Sequence, residues 1–306
     1  MRRRLTPTVA LLAVLMALVS CLVSGCGSTS GSAGAPAKAP MGASASVSAS
    51  VSAAEHASAS TAPTSRAYVA LGDSYAAAPG VPTTTIAGGC FRSDHNYPHL
   101  LAAALDVPLT DVTCSGATTG SLTARQRIVQ VSVPAQLDAL TPTTTLVTLG
   151  IGGNDLNLFA AVLDRCLAGS QRCLEGVDVR GDLATVQQRL TTVLGTIHRR
   201  APAARVVLVG YPQLVPADGG CTTLPASAQV LHSVHGLIAD FSTMMARAAR
   251  SAGATYVDLI GPSRGHDICS ASPWINGNHD TDRAIAFHPL PVEQAAVAGL
   301  VAQAIG

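Results

Sequence analysis

Five short apolar runs punctuate the chain: Ala67–Leu71, Leu109–Cys114, Thr145–Leu149, Val206–Gly210 and Tyr256–Ile260. The first stops at Gly72 and has no polar face, as a strand buried on both sides would. The intervening periodicity predicts helices over Tyr97–Leu105, Val133–Leu140, Asp182–Arg200 and Ala228–Ser251, with a last helix over Val292–Ile305. Strands alternating with helices form right-handed βαβ units, so the fold class is α/β with a parallel sheet covered on both faces. Such sheets place ligands at the carboxyl ends of their strands. The chemistry is therefore expected in the loops after the apolar runs.

The amino-terminal 65 residues are not part of that pattern. Arg2, Arg3 and Arg4 precede an apolar run from Val9 to Val23, interrupted by Ser20. That run is short for a membrane span and has the form of a signal peptide, over residues 1–25. It ends in Val23-Ser24-Gly25-Cys26, similar to a bacterial lipobox, so Cys26 is expected to carry lipid on its thiol. Acyl chains on that thiol and on the new amino terminus would anchor the chain to the outer face of the cell membrane. Without the lipid, the protein would be secreted. Residues 26–65 are nearly all Ser, Ala, Gly, Thr and Pro, with Lys38 and Glu55 the only full charges. Such a segment cannot bury a face and is expected to be a flexible tether. The folded domain is then 66–306.

Charge narrows the partners. The whole chain has 19 Lys+Arg against 18 Asp+Glu. Arg2, Arg3, Arg4, Lys38 and Glu55 belong to the leader and tether, which leaves the domain 15 basic and 17 acidic residues. No basic stripe exists to hold nucleic acid. The mean hydropathy of +0.35 reflects the leader and the alanine-rich tether, not a membrane-spanning enzyme. Of eight cysteines, Cys21 leaves with the signal and Cys26 takes the lipid. The six that remain, Cys90, Cys114, Cys166, Cys173, Cys221 and Cys269, suit disulfides in an exported domain, with fifteen pairings open. No CxxC spacing supports a zinc ribbon.

Four blocks carry the chemistry. Gly72-Asp73-Ser74-Tyr75 follows the first run, Cys114-Ser115-Gly116-Ala117-Thr118-Thr119 the second and Gly150-Ile151-Gly152-Gly153-Asn154-Asp155 the third, while Phe287-His288-Pro289 stands near the carboxyl end. A serine can attack a carbonyl while a histidine takes its proton and later returns it to the leaving alcohol. The oxyanion that forms needs preorganised donors, which the Ser74 and Gly116 N–H groups and the Asn154 amide could supply. Taken singly, each block is an ordinary turn or cap; in this order on successive strand ends they point to acyl transfer.

These blocks resemble the SGNH (GDSL) hydrolase family of esterases and lipases, matching on Ser74, Gly116, Asn154 and His288. Further stretches are similar to its secreted, three-disulfide bacterial branch: Cys90-Phe91-Arg92-Ser93, Asn96-Tyr97-Pro98, Gly210-Tyr211-Pro212, and Gly265-His266-Asp267-Ile268-Cys269 through Pro273-Trp274. The likeness runs from Arg66 to Gly306. It implies a three-layer α/β/α sandwich, flavodoxin-like, with a five-stranded parallel sheet. It also implies disulfides in sequential pairs, Cys90–Cys114, Cys166–Cys173 and Cys221–Cys269. Family roles carry over as nucleophile for Ser74, general base for His288, and oxyanion donors for Ser74, Gly116 and Asn154, with no metal or cofactor.

The chain departs from the family pattern at two points. Many members place an Asp three residues before the histidine, where this chain has Ile285; the nearest acids are Asp280 and Asp282. The expectation is a Ser–His dyad with its imidazole oriented by the Ile285 carbonyl, Asp282 being the alternative. Leu290 stands where Asn often follows His-Pro, which should affect the loop more than the chemistry.

Other readings compete with this one. Gly261-Pro262-Ser263-Arg264-Gly265 matches the G-x-S-x-G elbow and could combine Ser263 with Asp282 and His288, but Pro262 denies it the helix that elbow requires. His95/His99 and His232/His235 are paired by spacing alone and lack a completing carboxylate. The expected function is a serine-dependent carboxylic-ester hydrolase acting on lipid or small acyl esters, as a monomer. An acyltransferase or a carbohydrate deacetylase could share the site. A non-catalytic surface-binding module is disfavoured by four intact blocks.

Overall fold

A computed structural model describes residues 67–306; the expected signal peptide, tether and Cys26 lie outside the described residues. In chain order the first elements are β1 (Tyr68–Gly72), α1 (Ser74–Ala77), β2 (Thr84–Thr85), β3 (Arg92–Ser93), α2 (Tyr97–Leu105), β4 (Leu109–Asp111), α3 (Thr119–Thr123), β5 (Gln126–Ile128) and β6 (Val131–Val133). They are followed by β7 (Leu146–Gly150), α4 (Leu158–Ala160), α5 (Val179–Arg200), β8 (Arg205–Val209), α6 (Ala228–Ala252), β9 (Thr255–Val257) and α7 (Pro291–Ile305). The five expected strands form one parallel sheet in the order β4-β1-β7-β8-β9. The chain winds outward from β1 in one direction and then the other, so the strand order reverses beside β1 and β7, where such sheets open a crevice.

Alternate strand residues feed two cores. Val69, Leu71, Val147, Leu149, Val206 and Leu208 pack on the side covered by α5 and α6. Tyr68, Ala70, Leu146, Val207 and Val209 pack on the opposite side, under α2 and α7. Every residue of β1 and β7 is buried, which accounts for their unbroken apolar character. The result is an α/β/α sandwich.

The helix boundaries follow local chemistry. Asn96 caps α2 by accepting from the His99 N–H, and Ser227 caps α6 by accepting from the Val230 N–H. Gly253, in left-handed conformation, ends α6. Helix α5 begins at Val179, earlier than the expected Asp182, because the Asp178 carboxylate accepts from the Gly181 N–H. Among the described residues no helix is long and apolar enough to cross a membrane.

One expected element is not there. Val133–Leu140 is not a helix: Val131–Val133 pairs antiparallel with Gln126–Ile128 as a hairpin, and Gln136–Ala139 is a single 3-10 turn. Pro134 holds Val133 extended and supplies no N–H, so the segment reads as helical only by its apolar content. The second apolar run is formally a strand only to Asp111, yet Val112 and Cys114 still donate to the Ala70 and Gly72 carbonyls, both at 3.0 Å.

The cysteines pair as Cys90–Cys114, Cys166–Cys173 and Cys221–Cys269, with sequence separations of 24, 7 and 48. If their contribution is mainly the loop entropy removed from the unfolded chain, the longest loop stabilises most. Replacing Cys221 and Cys269 by Ser should then cost about 4 kcal/mol in urea unfolding, and replacing Cys166 and Cys173 about 2 kcal/mol. The reverse ranking would place the stabilisation in native contacts instead.

Candidate active site

The first block is placed by the pairing of β1 with β7, which sets Gly72 opposite Gly150. Gly72 has φ +154, and a Cβ there would stand 2.6 Å from the Gly150 oxygen and 2.7 Å from the Ala76 Cβ. Only glycine lets the chain turn this tightly from β1 into α1. The Gln136 side chain holds both polar groups of Gly72, accepting from its N–H at 2.8 Å and donating to its oxygen at 2.9 Å. Asp73 caps α1 by accepting from the Tyr75 N–H, and it accepts from the Tyr211 hydroxyl. Burial is the main reason its carboxyl is raised to about 7; the two donors pull the other way. Ser74 follows directly.

The histidine returns from the far end of the chain. His288 Nε2 lies 2.9 Å from Ser74 Oγ. Its Nδ1 lies 2.7 Å from the carbonyl oxygen of Ala286, not that of Ile285. Nδ1 therefore carries the proton and donates to Ala286, and Nε2 is left to accept from the Ser74 hydroxyl.

The Ile285 expectation is corrected by one residue, and the reason is local. The Ile285 oxygen is engaged by the Asn276 amide at 3.1 Å and by the His288 N–H at 3.3 Å. Phe287, at φ +59, then turns the chain so that His288 faces back onto Ala286. The Tyr75 hydroxyl holds this bend by donating to the Phe287 oxygen at 2.8 Å, so the first block fixes the last. Asp282 is exposed and is not a partner of the imidazole. Asp280 contributes indirectly: its carboxylate accepts from the Ala286 N–H at 2.8 Å.

The middle blocks are tied to each other. Gly116 sits at φ +73, a conformation that favours glycine. Next to it the Ser115 carbonyl accepts from Gln126 Nε2 at 2.8 Å. Asn154 donates one side-chain N–H to the Ala117 carbonyl at 2.9 Å and keeps its second free. The buried Asp155 carboxylate accepts from the Thr119 N–H and hydroxyl, at 2.8 and 2.6 Å, and from Arg189 at 2.9 Å. Among the described residues, the backbone N–H groups of Ser74 and Gly116 have no hydrogen-bond partner.

Gln136, Asn276 and Gln294 were not visible in sequence, and Tyr211 and Asp280 stood there without the roles they have here. Gln294 accepts from the Tyr97 N–H and donates to the Tyr75 oxygen, joining α7 to α1 and α2. It also donates to Glu293, whose burial raises its carboxyl to about 8. The competing motif separates: Ser263 is buried, and its oxygen accepts from the Gln213 N–H at 2.8 Å and faces the Ile260 carbonyl. His95 and His99 bond to Asp94 and Asn96, and His232 and His235 to main-chain oxygens. Among the described residues, no three His, Cys, Asp or Glu side chains gather as a metal site.

An imidazole on a serine hydroxyl, at the carboxyl edge of a parallel sheet and beside unengaged amides, has the chemistry of a serine acyl hydrolase. Residues 70–292 match the GDSL-like Lipase/Acylhydrolase family. Lipase 2 of Streptomyces coelicolor is 38% identical over 250 residues, spanning 76% of this chain and 84% of that lipase. The crystal structure of phospholipase A1 from Streptomyces albidoflavus NA297 matches with a TM-score of 0.68 at 29% identity, covering 78% of this chain and 99% of that one. That of an extracellular lipase from Streptomyces rimosus matches with a TM-score of 0.68 at 30% identity, over the same shares. The chain belongs to the GDSL-like lipase/acylhydrolase family and is an ester-hydrolysing enzyme.

Burial lowers the His288 pKa from its ordinary 6.5, because charge is disfavoured there; the Ala286 carbonyl and then Asp280 partly oppose this. An NMR titration of the ring should give a value below 6.5 and, in Asp280→Asn, one lower still. An unchanged value in the variant would remove Asp280 from the electrostatics of the site.

Proposed function

We propose that the chain is an exported hydrolase of lipid or small acyl esters, using a Ser74–His288 dyad oriented by the Ala286 carbonyl. The observation that carries this is the chain of two hydrogen bonds, Ser74 Oγ to His288 Nε2 at 2.9 Å and His288 Nδ1 to the Ala286 oxygen at 2.7 Å. His288 accepts the Ser74 proton as Oγ attacks the acyl carbon. The Ser74 and Gly116 N–H groups and the free Asn154 N–H receive the oxyanion. The imidazolium then protonates the leaving alcohol, and a water activated by the same histidine releases the acyl group. A main-chain carbonyl accepts the Nδ1–H as a carboxylate would, but without a full negative charge to stabilise the imidazolium.

Export is supported by the amino-terminal leader. Attachment of lipid at Cys26 is the further part of the proposal, and labelling with radioactive palmitate should be lost in Cys26→Ala. The carboxylic acyl substrate class draws support from the lipase relatives.

A panel of esters of graded acyl length tests the catalytic assignment. Ser74→Ala should lose at least about 10³-fold in kcat, and Asn154→Ala about 10²–10³-fold. Asp282→Asn should leave turnover unchanged, whereas a loss near 10⁴ would make Asp282 the third catalytic member after all.

A further inference from the structure

The large apolar side chains exposed among the described residues are Ile86, Phe91, Val129, Val131, Leu156 and Val292. Each lies in the segment that follows one of the four blocks: Ile86 and Phe91 after Ser74, Val129 and Val131 after Gly116, Leu156 just past Asn154, and Val292 just past His288.

Two of these segments form one surface. The turn Ile86–Phe91 lies against the β5–β6 hairpin: a Cβ at Gly89 would stand 3.1 Å from Ile128 Cγ2 and 3.2 Å from Val131 Cγ2. The turn is fastened to the Gly116 block by the Cys90–Cys114 disulfide and by the Ser115 N–H, which donates to the Cys90 oxygen at 3.0 Å. The hairpin is fastened to the same block by Gln126. Both parts of this apolar surface are therefore held to the Gly116 block of the candidate active site.

Its tip is costly for the fold. Val129 is 94% exposed and sits at φ +50 in the two-residue turn that joins β5 to β6. Asn or Gly suits such a turn; a β-branched side chain there is strained and, in this chain alone, packs on nothing. Exposed apolar tips of this kind mark contact with something outside the molecule.

The surrounding charge says what that something is. Residues 74–93 and 112–137 contain no Asp or Glu and carry Arg92, Arg125 and Arg127. Arg92 is committed to Asp111 and the Thr113 oxygen, and Arg125 braces the hairpin through Ser132. Arg127 is exposed, with no partner among the described residues. The flanking acids are engaged elsewhere, Asp94 by Thr83 and His95, Asp138 by Arg200. Aliphatic tips beside arginines, without nearby free carboxylates, match a lipid surface with anionic headgroups: the tips enter the acyl region and the guanidinium groups meet phosphate.

We propose that the Ile86–Phe91 turn and the β5–β6 tip form an insertion surface for anionic lipid aggregates, seating the active site on its substrate. The purpose of this surface rests on the ester-hydrolase proposal, but its binding does not. Residues 67–306 contain the whole sheet, both cores and all three disulfides, and so serve as the test protein. With Ser74→Ala preventing lipid turnover, co-sedimentation is measured on phosphatidylcholine vesicles with and without phosphatidylglycerol.

Binding should rise with phosphatidylglycerol and fall with salt. Val129→Ser alone should weaken it several-fold, and Ile86→Ser with Val129→Ser at least about tenfold. Arg127→Gln, which leaves the Arg125 brace in place, should remove much of the dependence on phosphatidylglycerol. In protein that retains Ser74, the Val129→Ser change should leave kcat/KM on a soluble short-chain ester within about twofold, showing that the fold and site are intact. Absence of vesicle binding, or binding indifferent to both sets of substitutions, overturns the surface. Surface-dependent binding by a protein that, with Ser74 intact, hydrolyses neither soluble esters nor vesicle lipid would instead overturn the ester-hydrolase proposal and leave the surface standing.

Discussion

The parallel pairing of β1 with β7 is the constraint on which the site depends. Both strands are buried along their whole length, so neither can present a reactive side chain from its faces. Chemistry is confined to where the strands stop, and they stop together, Gly72 opposite Gly150. The Asp73 N–H donates to the Gly150 oxygen at 2.9 Å, which carries the register one residue past the strand and delivers Ser74 at the edge. Asn154 emerges from the neighbouring strand end, and the Asp155–Thr119 bonds hold the Gly116 block to it. Packing two dry cores against one sheet thus converts four distant segments into one cluster.

The orientation of His288 shows how such a cluster manages without a carboxylate in contact with the ring. A neutral carbonyl fixes the tautomer, and its own position is fixed by neighbours: Asn276 occupies the preceding carbonyl, Tyr75 the following one, and Asp280 the Ala286 N–H. The physical consequence is an imidazole that stays neutral to lower pH. Burial disfavours the imidazolium more than the Ala286 carbonyl and, after it, the exposed Asp280 favour it. In the proposed dyad, a proton taken from Ser74 would be correspondingly easy to return to a leaving alcohol.

Much of this was legible in the chain, and the exceptions have physical causes. Apolar runs ending at glycine announced β1 and β7, and apolar periodicity announced α2 and α6, whose caps at Asn96 and Ser227 the structure then showed. Sequential disulfides followed from resemblance to a known branch, not from spacing. The 133–140 segment misled because a hairpin strand and a buried turn together have the apolar content of a helix face, with Pro134 deciding between them. The choice between the Ile285 and Ala286 carbonyls turned on the left-handed Phe287 and on an Asn276 amide brought in by tertiary structure. Gln136 and Gln294 look like any surface glutamine in sequence; only in the fold does each hold the serine's turn from behind. Val129 was equally silent, since its strain and exposure exist only once the hairpin closes.

The central claim is that Ser74, activated by a carbonyl-oriented His288, is the group that attacks the ester. Mapping the site of covalent labelling by an organophosphonate addresses it most directly. The account predicts one adduct, on the peptide carrying Ser74, formed far more slowly in His288→Ala and unaffected by Ser263→Ala. An adduct on Ser263, or labelling of Ser74 at an undiminished rate without His288, would contradict it.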